Sequence, residues 1–305
     1  MAIGHFIKEI GRGKDGARSL SREQAADLFG QLLDDGVSEL EVGAFSIAMR
    51  IKGETTLEMC GFLDATQQRL KKIQTIPTGV FRPAVVIPTY NGARKLPVLT
   101  PLLAKLLARE GFPVILHGTA TEARRVFTSE VLLELGIQPR DELGPVEGGQ
   151  VAFVPTVLFH KGLQRLLDVR LVLQLRNPAH SLVKLMLPCE GPQILVTSYT
   201  HPAYAVAMEE VLRLRQTTAM LLRGTEGEAV ADPRRTPKMT CISHGETGAV
   251  QEHQGGTLID LPTLPASCDA ISTARYIESV LTGALEVPQP IALQVERIIE
   301  LANAM

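Results

Sequence analysis

Apolar residues recur at helical spacing in the N-terminal part of the chain, as in Leu40, Ala44, Ile47 and Ile51. Intervals of three to four residues place apolar side chains on one face of a helix, so this region is predicted to be helical. We therefore expect residues 1–73 to form a compact helical unit.

Three segments with the capping-box pattern mark where three of these helices begin. Each has Ser or Thr at the cap and, three residues later, a Gln or Glu that accepts a hydrogen bond from the cap residue's amide. They are SREQ at 21–24, SELE at 38–41 and TTLE at 55–58. Gly36 and Gly53 precede the second and third boxes and are typical helix stops.

After residues 76–79 the pattern changes to short β-rich runs that alternate with helical segments. The predicted strands are 84–88, 113–117, 151–154, 193–198 and 219–223. The predicted helices include 101–110, 128–135, 202–215, 272–283 and 289–303, the first with Thr100 as its cap, Pro101 at its first position and Gly111 after its end. This alternation predicts an α/β fold with a mostly parallel sheet flanked by helices, interrupted by a helical, basic segment at 155–187.

Composition is that of a globular protein. The chain has 305 residues, 45% of them hydrophobic, which is enough for one large core with or without a small second domain. No apolar run approaches the ~18 residues that cross a bilayer, and the N-terminus lacks the hydrophobic region of a secretory signal. The cysteines never form a C-x-x-C pair, which favours free thiols in the cytoplasm. The histidines lack metal-ligand spacing, so no metal and no cofactor is predicted.

Charge is distributed unevenly along the chain. The net charge of −2 taken alone argues against a nucleic-acid partner. Between Asp64 and Glu110, however, lie eight basic residues and no acidic one, and residues 153–189 carry five basic residues and one acidic. The last 55 residues carry two basic and seven acidic residues. This distribution predicts a basic face and an acidic C-terminal part. The 4% aromatic content disfavours a single-strand binder that stacks bases.

Residues 20–55, in which GAF is followed by A-x-R-x-KGET, resemble the N-terminal helical domain of anthranilate phosphoribosyltransferase and its relatives (glycosyltransferase family 3, the class IV phosphoribosyltransferase fold). The resemblance continues through HG at 117–118, SEVLLELGI at 129–137 and RNPAH at 176–180. It implies a helical domain of residues 1–73, completed by the insert at about 155–187, and an α/β domain of residues 74–154 and 188–305. It also implies a homodimer joined through the helical domain.

Three motifs that carry the chemistry of that family are degenerate here. The Gly-Thr-Gly-Gly-Asp loop, which holds phosphoribosyl pyrophosphate, aligns with TYNGA at 89–93, where Gly92 survives, Tyr90 and Asn91 add bulk, and Ala93 replaces the carboxylate. The Lys-His-Gly-Asn-Arg motif aligns with LHGTA at 116–120 and keeps only His117 and Gly118. We interpret Asn91, Gly92, His117 and Gly118 as a degenerate phosphate site, and His117 as a structural remnant.

The third motif, an Asp-Glu pair that binds magnesium in the enzymes, falls near GTEGEAV at 224–230. Ala229 and Val230 occupy the aligned positions, with Glu226 and Glu228 nearby. Together the changes remove the close approach of backbone amides to the phosphates, the groups that neutralise the charge of the leaving pyrophosphate, and the magnesium ligands. We therefore expect no phosphoribosyl transfer. The sequence resembles a branch of non-catalytic paralogues that bind DNA and RNA.

Basic side chains are the candidate contacts to the phosphates of a nucleic acid. Arg94 and Lys95 follow a strand, where two cations would add to free amides near a helix N-terminus. Lys161 and Arg165, four residues apart, and then Lys184, four residues after His180, are read as a basic stripe without paired acids. The full set is Arg69, Lys71, Lys72, Arg94, Lys95, Arg124, Arg125, Lys161, Arg165, Arg170, Arg176, His180 and Lys184.

Ordinary explanations compete with this interpretation at several positions. Cations such as Arg69, Lys71 and Lys72 at a helix C-terminus complement the helix dipole by about 0.3–1 kcal/mol each. Arg94 and Lys95 also fit a solvated loop, and Arg234 and Arg235 fit a turn.

The leading prediction is a cytoplasmic, homodimeric protein without catalytic activity that binds the phosphates of DNA or RNA in a basic groove, with little sequence preference. The first alternative is a phosphoribosyltransferase or nucleoside phosphorylase with Glu226 and Glu228 as shifted magnesium ligands. The second is a protein–protein scaffold. No membrane partner is expected.

Overall fold

The computed structural model of the protein describes residues 3–13, 15–122 and 124–305. Its helices are α1 (Gly4–Ile10), α2 (Arg22–Leu33), α3 (Glu39–Lys52), α4 (Thr56–Arg69), α5 (Thr100–Arg109), α6 (Thr128–Glu134), α7 (Thr156–Phe159), α8 (Lys161–Leu173), α9 (Ala179–Leu182), α10 (Pro202–Leu214), α11 (Ala270–Leu281) and α12 (Gln289–Asn303), with a 3₁₀ turn at Val183–Leu185. Its strands are β1 (Thr75–Ile76), β2 (Ala84–Pro88), β3 (Val114–Gly118), β4 (Val146–Glu147), β5 (Val151–Pro155), β6 (Gln193–Tyr199), β7 (Ala219–Arg223), β8 (Met239–Ser243) and β9 (Glu246–Gln251).

The chain divides into two compact units. The helical unit comprises Met1–Lys71 and Thr156–Pro188, so it contains α1–α4 together with α7–α9. The α/β unit comprises Lys72–Pro155 and Cys189–Met305.

In the helical unit, α2 packs along α4, and α8 packs against α2. Phe29, Phe45 and Phe62 are fully buried at its centre, with the rings of Phe29 and Phe62 stacked at 4.8 Å between centroids. Gly162 in α8 is required by this packing, because a Cβ there would lie 2.0 Å from the carbonyl oxygen of Leu33. The three predicted capping boxes are present at α2, α3 and α4.

The α/β unit is built on a sheet with the strand order β5-β3-β2-β6-β7-β8-β9. The strands from β5 to β7 pair in parallel, and β8 and β9 are antiparallel. The core strand β2 is buried along its whole length, and α5, α11 and α12 contribute buried apolar residues to the same core. The α/β class with a mostly parallel sheet is thus confirmed.

One local prediction of secondary structure is wrong, and one strand pairing was not predicted. Thr100 is not the cap of α5: the cap position is Leu99, without a side-chain hydrogen bond, and α5 begins at Thr100. The pairing of β8 with β9 was also missed. Its turn contains His244 and Gly245, both with positive φ, and nearly every residue of β9 is exposed, so β9 carries no alternation of apolar and polar residues.

Candidate functional site

Residues 89–96, the first part of the loop between β2 and α5, lie at the carboxyl end of a central strand. Backbone hydrogen bonds in both directions between Ala93 and Val126, at 2.9 and 3.0 Å, hold its middle. Gly92 has a φ of +60°, and a Cβ there would lie 2.6 Å from the carbonyl oxygen of Val126. The loop therefore needs glycine at this position for its shape, whether or not a ligand binds.

The carboxylate of Glu228 is bound to the first part of this loop. Its Oε1 accepts hydrogen bonds from the backbone amides of Asn91 and Gly92, both at 2.9 Å. Its Oε2 accepts hydrogen bonds from the hydroxyls of Thr128 at 3.0 Å and Thr100 at 3.4 Å. The residue is 1% exposed. These four donors surround the carboxylate as they would a bound anion.

The carboxylate of Glu226 is bound to the second part of the loop. It accepts backbone hydrogen bonds from Lys95 at 2.7 Å, Leu96 at 2.9 Å and Arg94 at 3.1 Å. The guanidinium of Arg125 lies 3.9 Å away. The expectation that free amides beside Arg94 and Lys95 capture a phosphate is therefore wrong, because the amides already bind a carboxylate of the same chain.

The surroundings of the two glutamates are those of bound anions. Their partners are amide and hydroxyl donors, whereas magnesium sites collect oxygen acceptors around the cation. Among the described residues, no group of three or more His, Cys, Asp or Glu side chains is placed to hold a metal ion. Ala93, Ala229 and Val230, which stand where the resemblance places carboxylates, are all at most 2% exposed and belong to the hydrophobic core.

His117 and Gly118 are structural parts of the strand end. Burial lowers the pKa of His117 to about 3, so its imidazole is neutral at pH 7. Its Nδ1 lies 2.9 Å from the hydroxyl of Tyr90. Gly118 allows close packing on the neighbouring strand end, since a Cβ there would lie 2.0 Å from the carbonyl oxygen of Thr89.

The basic side chains around the loop fall into two groups. Arg94, Lys95 and Arg124 are exposed. The guanidinium of Arg125 is 15% exposed, donates to the carbonyl oxygen of Gly92 at 3.1 Å and pairs with Glu122 at 3.2 Å. Arg125 therefore holds the loop in place, and the other three cations are the ones that solution molecules reach.

Arg69 and Arg165, both predicted contacts in the helical unit, are ion-paired. Arg69 binds Asp34 through two hydrogen bonds of 2.7 Å. Arg165 pairs with Asp35, lies 3.7 Å from Glu39 and donates to a backbone carbonyl of α2. The interpretation of Arg165 as part of a stripe without paired acids is therefore wrong.

Lys71 and Lys161 remain exposed in the helical unit. The backbone amide of Lys71 donates to the carbonyl oxygen of Phe159 at 3.2 Å, which places the end of α4 beside the start of α8. Lys72 is exposed in the α/β unit. The helical unit thus presents two lysines at neighbouring helix ends.

Arg170 and Arg176 lie near the other end of α8, close enough to His180 to influence its titration. Burial, followed by the charge of Arg176, lowers the pKa of His180 to about 4, so His180 is neutral at pH 7 and is not a cationic contact. Arg170 lies about 180° around α8 from Lys161, since each helical residue turns by about 100°. Arg170 therefore lies on the face of α8 opposite Lys161. The half-buried Lys184 lies in the 3₁₀ turn.

The arginines of the DPRR segment follow their ordinary interpretation. Arg234 and Arg235 both bind the carboxylate of Asp232, at 3.0 and 3.1 Å.

Within the described residues, no helix is both long enough and apolar enough to cross a membrane.

Comparison with known proteins places this arrangement in a family. Residues 5–69 match the helical bundle domain of the glycosyl transferase family. The chain is 39% identical over 294 residues to the uncharacterized protein YbiB of Escherichia coli, covering 95% of this chain and 91% of YbiB. It is 27% identical over 287 residues to anthranilate phosphoribosyltransferase of Methylorubrum populi, covering 90% of this chain and 82% of that protein.

Solved structures agree in fold. Anthranilate phosphoribosyltransferase from Thermus thermophilus superposes with a TM-score of 0.75 at 18% identity, over 98% of this chain and 89% of the other. The Saccharomyces cerevisiae enzyme in complex with PRPP and Mg gives a TM-score of 0.69 at 15% identity, over 98% and 88% of the two chains. The chain therefore belongs to the family of YbiB, with the glycosyl transferase helical bundle domain and the fold of anthranilate phosphoribosyltransferase.

Proposed function

We propose that this protein binds DNA or RNA through the phosphate backbone, with little sequence preference and without phosphoribosyl transfer. The observation that carries the proposal is the arrangement of charge at loop 89–96. Glu226 and Glu228 are bound to backbone donors, whereas Arg94 and Lys95 are exposed. Both carboxylates are thus held by hydrogen bonds within the protein, while the two cationic side chains face solution, where phosphates reach them.

The helical unit supports the same proposal with exposed lysines of its own. Lys71 and Lys161 lie at neighbouring helix ends. Arg69 and Arg165 are satisfied by carboxylates, so we assign them to stability and leave phosphate contact to the exposed cations. Those cations are Lys71, Lys72, Arg94, Lys95, Arg124 and Lys161.

The residues at the positions of the family's catalytic carboxylates support the proposal that this protein does not catalyse phosphoribosyl transfer. Ala93, Ala229 and Val230 are buried among apolar side chains, where they supply neither charge stabilisation nor metal ligands. The enzyme alternative keeps Glu226 and Glu228 as magnesium ligands, which requires both carboxylates to leave their amide donors.

The test is a titration of labelled duplex DNA, single-stranded DNA and RNA with the protein at several salt concentrations. The logarithm of affinity should fall linearly with the logarithm of salt, by about 0.9 per duplex phosphate neutralised and about 0.7 on single strands. For the double variant R94E/K95E we expect weaker binding and, if both contacts are lost, a duplex slope smaller by about 1.8.

The matched control is the double variant K8E/R275E, with Lys8 in α1 and Arg275 in α11, which changes the net charge by the same amount as R94E/K95E. Both substitutions replace an exposed cation by an anion outside the proposed set. Equal losses in the control and in R94E/K95E would mean that only net charge matters. Unchanged affinity and slope in R94E/K95E would remove the loop from the interface.

Calorimetry with phosphoribosyl pyrophosphate and magnesium separates the proposal from the enzyme alternative. Under the proposal the protein gives no magnesium-dependent binding. Tight, magnesium-dependent binding, or turnover of the substrate, would favour the enzyme. A protein that binds neither nucleic acid nor phosphoribosyl pyrophosphate would favour the scaffold alternative.

We further propose that the protein is a homodimer joined through α3. Leu40, Ile47 and Ile51 lie on one face of α3 and are 83%, 36% and 59% exposed. A row of apolar side chains on one helix face is typical of a contact surface.

We assign the protein to the cytoplasm, where its four free cysteines stay reduced.

A further inference from the structure

Five backbone amides of loop 89–96 donate to two carboxylates from one distant turn. The carboxylate of Glu228 accepts hydrogen bonds from the amides of Asn91 and Gly92. The carboxylate of Glu226 accepts hydrogen bonds from the amides of Arg94, Lys95 and Leu96. Consecutive amides that converge on negative oxygens form an anion-binding concavity, and here the anions come from residues more than 100 positions away in the sequence.

The turn that carries these carboxylates is held in a disfavoured conformation. Thr225 and Glu228 form a β-bridge around Glu226 and Gly227, whose φ angles are +51° and +93°. Positive φ is uncommon for a residue with a side chain and persists where surrounding contacts fix it. The three amides bound to the carboxylate of Glu226 are such contacts.

The turn also fits closely against its neighbours. The carbonyl oxygen of Gly227 accepts a hydrogen bond of 2.8 Å from the hydroxyl of Ser198. A Cβ on Gly227 would lie 1.7 Å from Nδ2 of Asn91. A Cβ on Gly224 would lie 1.9 Å from the carbonyl oxygen of Glu228. Gly227 therefore lets the turn approach the loop, and Gly224 lets the turn close on itself.

We propose that loop 89–96 is an anion site whose anion is supplied by the chain itself. The carboxylates of Glu226 and Glu228 act as internal substitutes for phosphate and exclude inorganic phosphate and phosphate monoesters from the amides. Glu228 is the fixed part, because it is 1% exposed and bonded on both oxygens. Glu226 is the removable part, because its side chain is 18% exposed and adjoins the exposed Arg94 and Lys95.

This proposal does not depend on nucleic-acid binding. The internal anion site is built from backbone amides, whereas the proposed nucleic-acid contacts are side chains. The DNA affinity of R94E/K95E therefore does not test the anion site, and the experiment that tests the anion site uses no nucleic acid.

The test is calorimetric titration of the wild type and of Glu226→Ala with inorganic phosphate and with pyrophosphate. Removal of the carboxylate frees three amides beside two exposed cations, so we expect Glu226→Ala to bind phosphate at least about tenfold more tightly than the wild type. Glu226→Gln keeps an oxygen acceptor on the amides and should give a smaller gain. Glu246→Ala, which removes an exposed carboxylate in β9, controls for the change in net charge.

Amide hydrogen exchange at residues 94–96 provides a second measurement. These amides should be protected in the wild type, exchange faster in Glu226→Ala, and regain protection when phosphate is added. Wild-type protein that binds phosphate as tightly as Glu226→Ala would overturn the proposal. So would a folded Glu226→Ala variant that gains no more affinity than Glu246→Ala.

Discussion

At the scale of single residues, the carboxylate of Glu58 joins separate segments of the helical unit. It is fully buried, accepts backbone hydrogen bonds from Leu20 and Thr55 at 2.9 Å, and binds the ammonium of Lys52 at 2.6 Å. One side chain therefore completes the capping box of α4, fixes the chain before α2, and neutralises a buried cation. The KGET motif owes its structural role to this network.

We expect Glu58→Ala to lower the free energy of unfolding by about 3–5 kcal/mol, because it leaves the buried ammonium of Lys52 without its partner. Chemical denaturation measures the change. Glu54→Ala, in the same motif but without a role in the network, should stay within about 0.5 kcal/mol of the wild type. A loss below about 1 kcal/mol for Glu58→Ala would contradict the assignment.

His117 makes stability depend on pH in a defined direction. Its pKa falls from an ordinary 6.5 to about 3 in the folded protein, so the unfolded chain takes up the proton first as pH decreases. The free energy of unfolding should therefore fall between pH 6.5 and 3, with this residue contributing up to about 1.4 kcal/mol per pH unit.

Denaturation at several pH values checks this contribution through His117→Asn. Asparagine retains a hydrogen-bond acceptor for Tyr90 and does not titrate. We expect the variant to show a shallower loss of stability below pH 6.5, whereas His253→Asn, at an exposed histidine, should follow the wild type. Parallel curves for His117→Asn and the wild type would exclude this role.

Residue types and local spacing predicted which positions are charged, but not which charges are satisfied. Arg69 and Arg165 were expected at a phosphate surface, yet their acidic partners lie on or next to α2, 35 and 130 residues away in sequence. Glu226 and Glu228 were recognised as carboxylates near a lost metal motif. Their amide partners depend on how the sheet brings two strand ends together, which spacing within one segment does not encode.

At the scale of secondary-structure elements, local chemistry was the more reliable guide. Ser21, Ser38 and Thr55 each accept a hydrogen bond from the amide three residues ahead, as the sequence predicted. The exception is Thr100, whose hydroxyl lies 3.4 Å from the buried carboxylate of Glu228. Thr100 lies inside the helix as its first residue, and its hydroxyl donates to a tertiary partner.

Gly227 offers a test of how the 225–228 turn is built. Gly227→Ala adds a Cβ that would lie 1.7 Å from Asn91, at a φ of +93°. Gly283→Ala is the matched control, because Gly283 has a φ of +80° with no atom within 4 Å. Chemical denaturation should show a loss of about 1 kcal/mol for Gly283→Ala, from backbone strain alone. Gly227→Ala should lose at least about 1 kcal/mol more, and equal losses would mean that the close packing is unimportant.

At the scale of the whole molecule, the exposed face of α3 bears on assembly. If two copies associate there, Leu40→Asp and Ile51→Asp should convert a dimer into a monomer, because each places a charge in an apolar contact. Size-exclusion chromatography with light scattering measures the mass. Ile259→Asp is the control, since Ile259 is 98% exposed and lies in the α/β unit. A wild-type monomer at high concentration would contradict the dimer.

The helical unit is assembled from two stretches separated by residues 72–155 of the α/β unit. Buried leucines of α8, namely Leu163, Leu166 and Leu167, complete a core that α2 and α4 begin. Ribosomes add about 5–20 residues per second, so the first helices emerge several seconds before the segment that covers them. Their apolar surfaces stay open during that interval. A message truncated before residue 156 would leave the apolar faces of α2 and α4 without the leucines that cover them, and we expect such a product to aggregate.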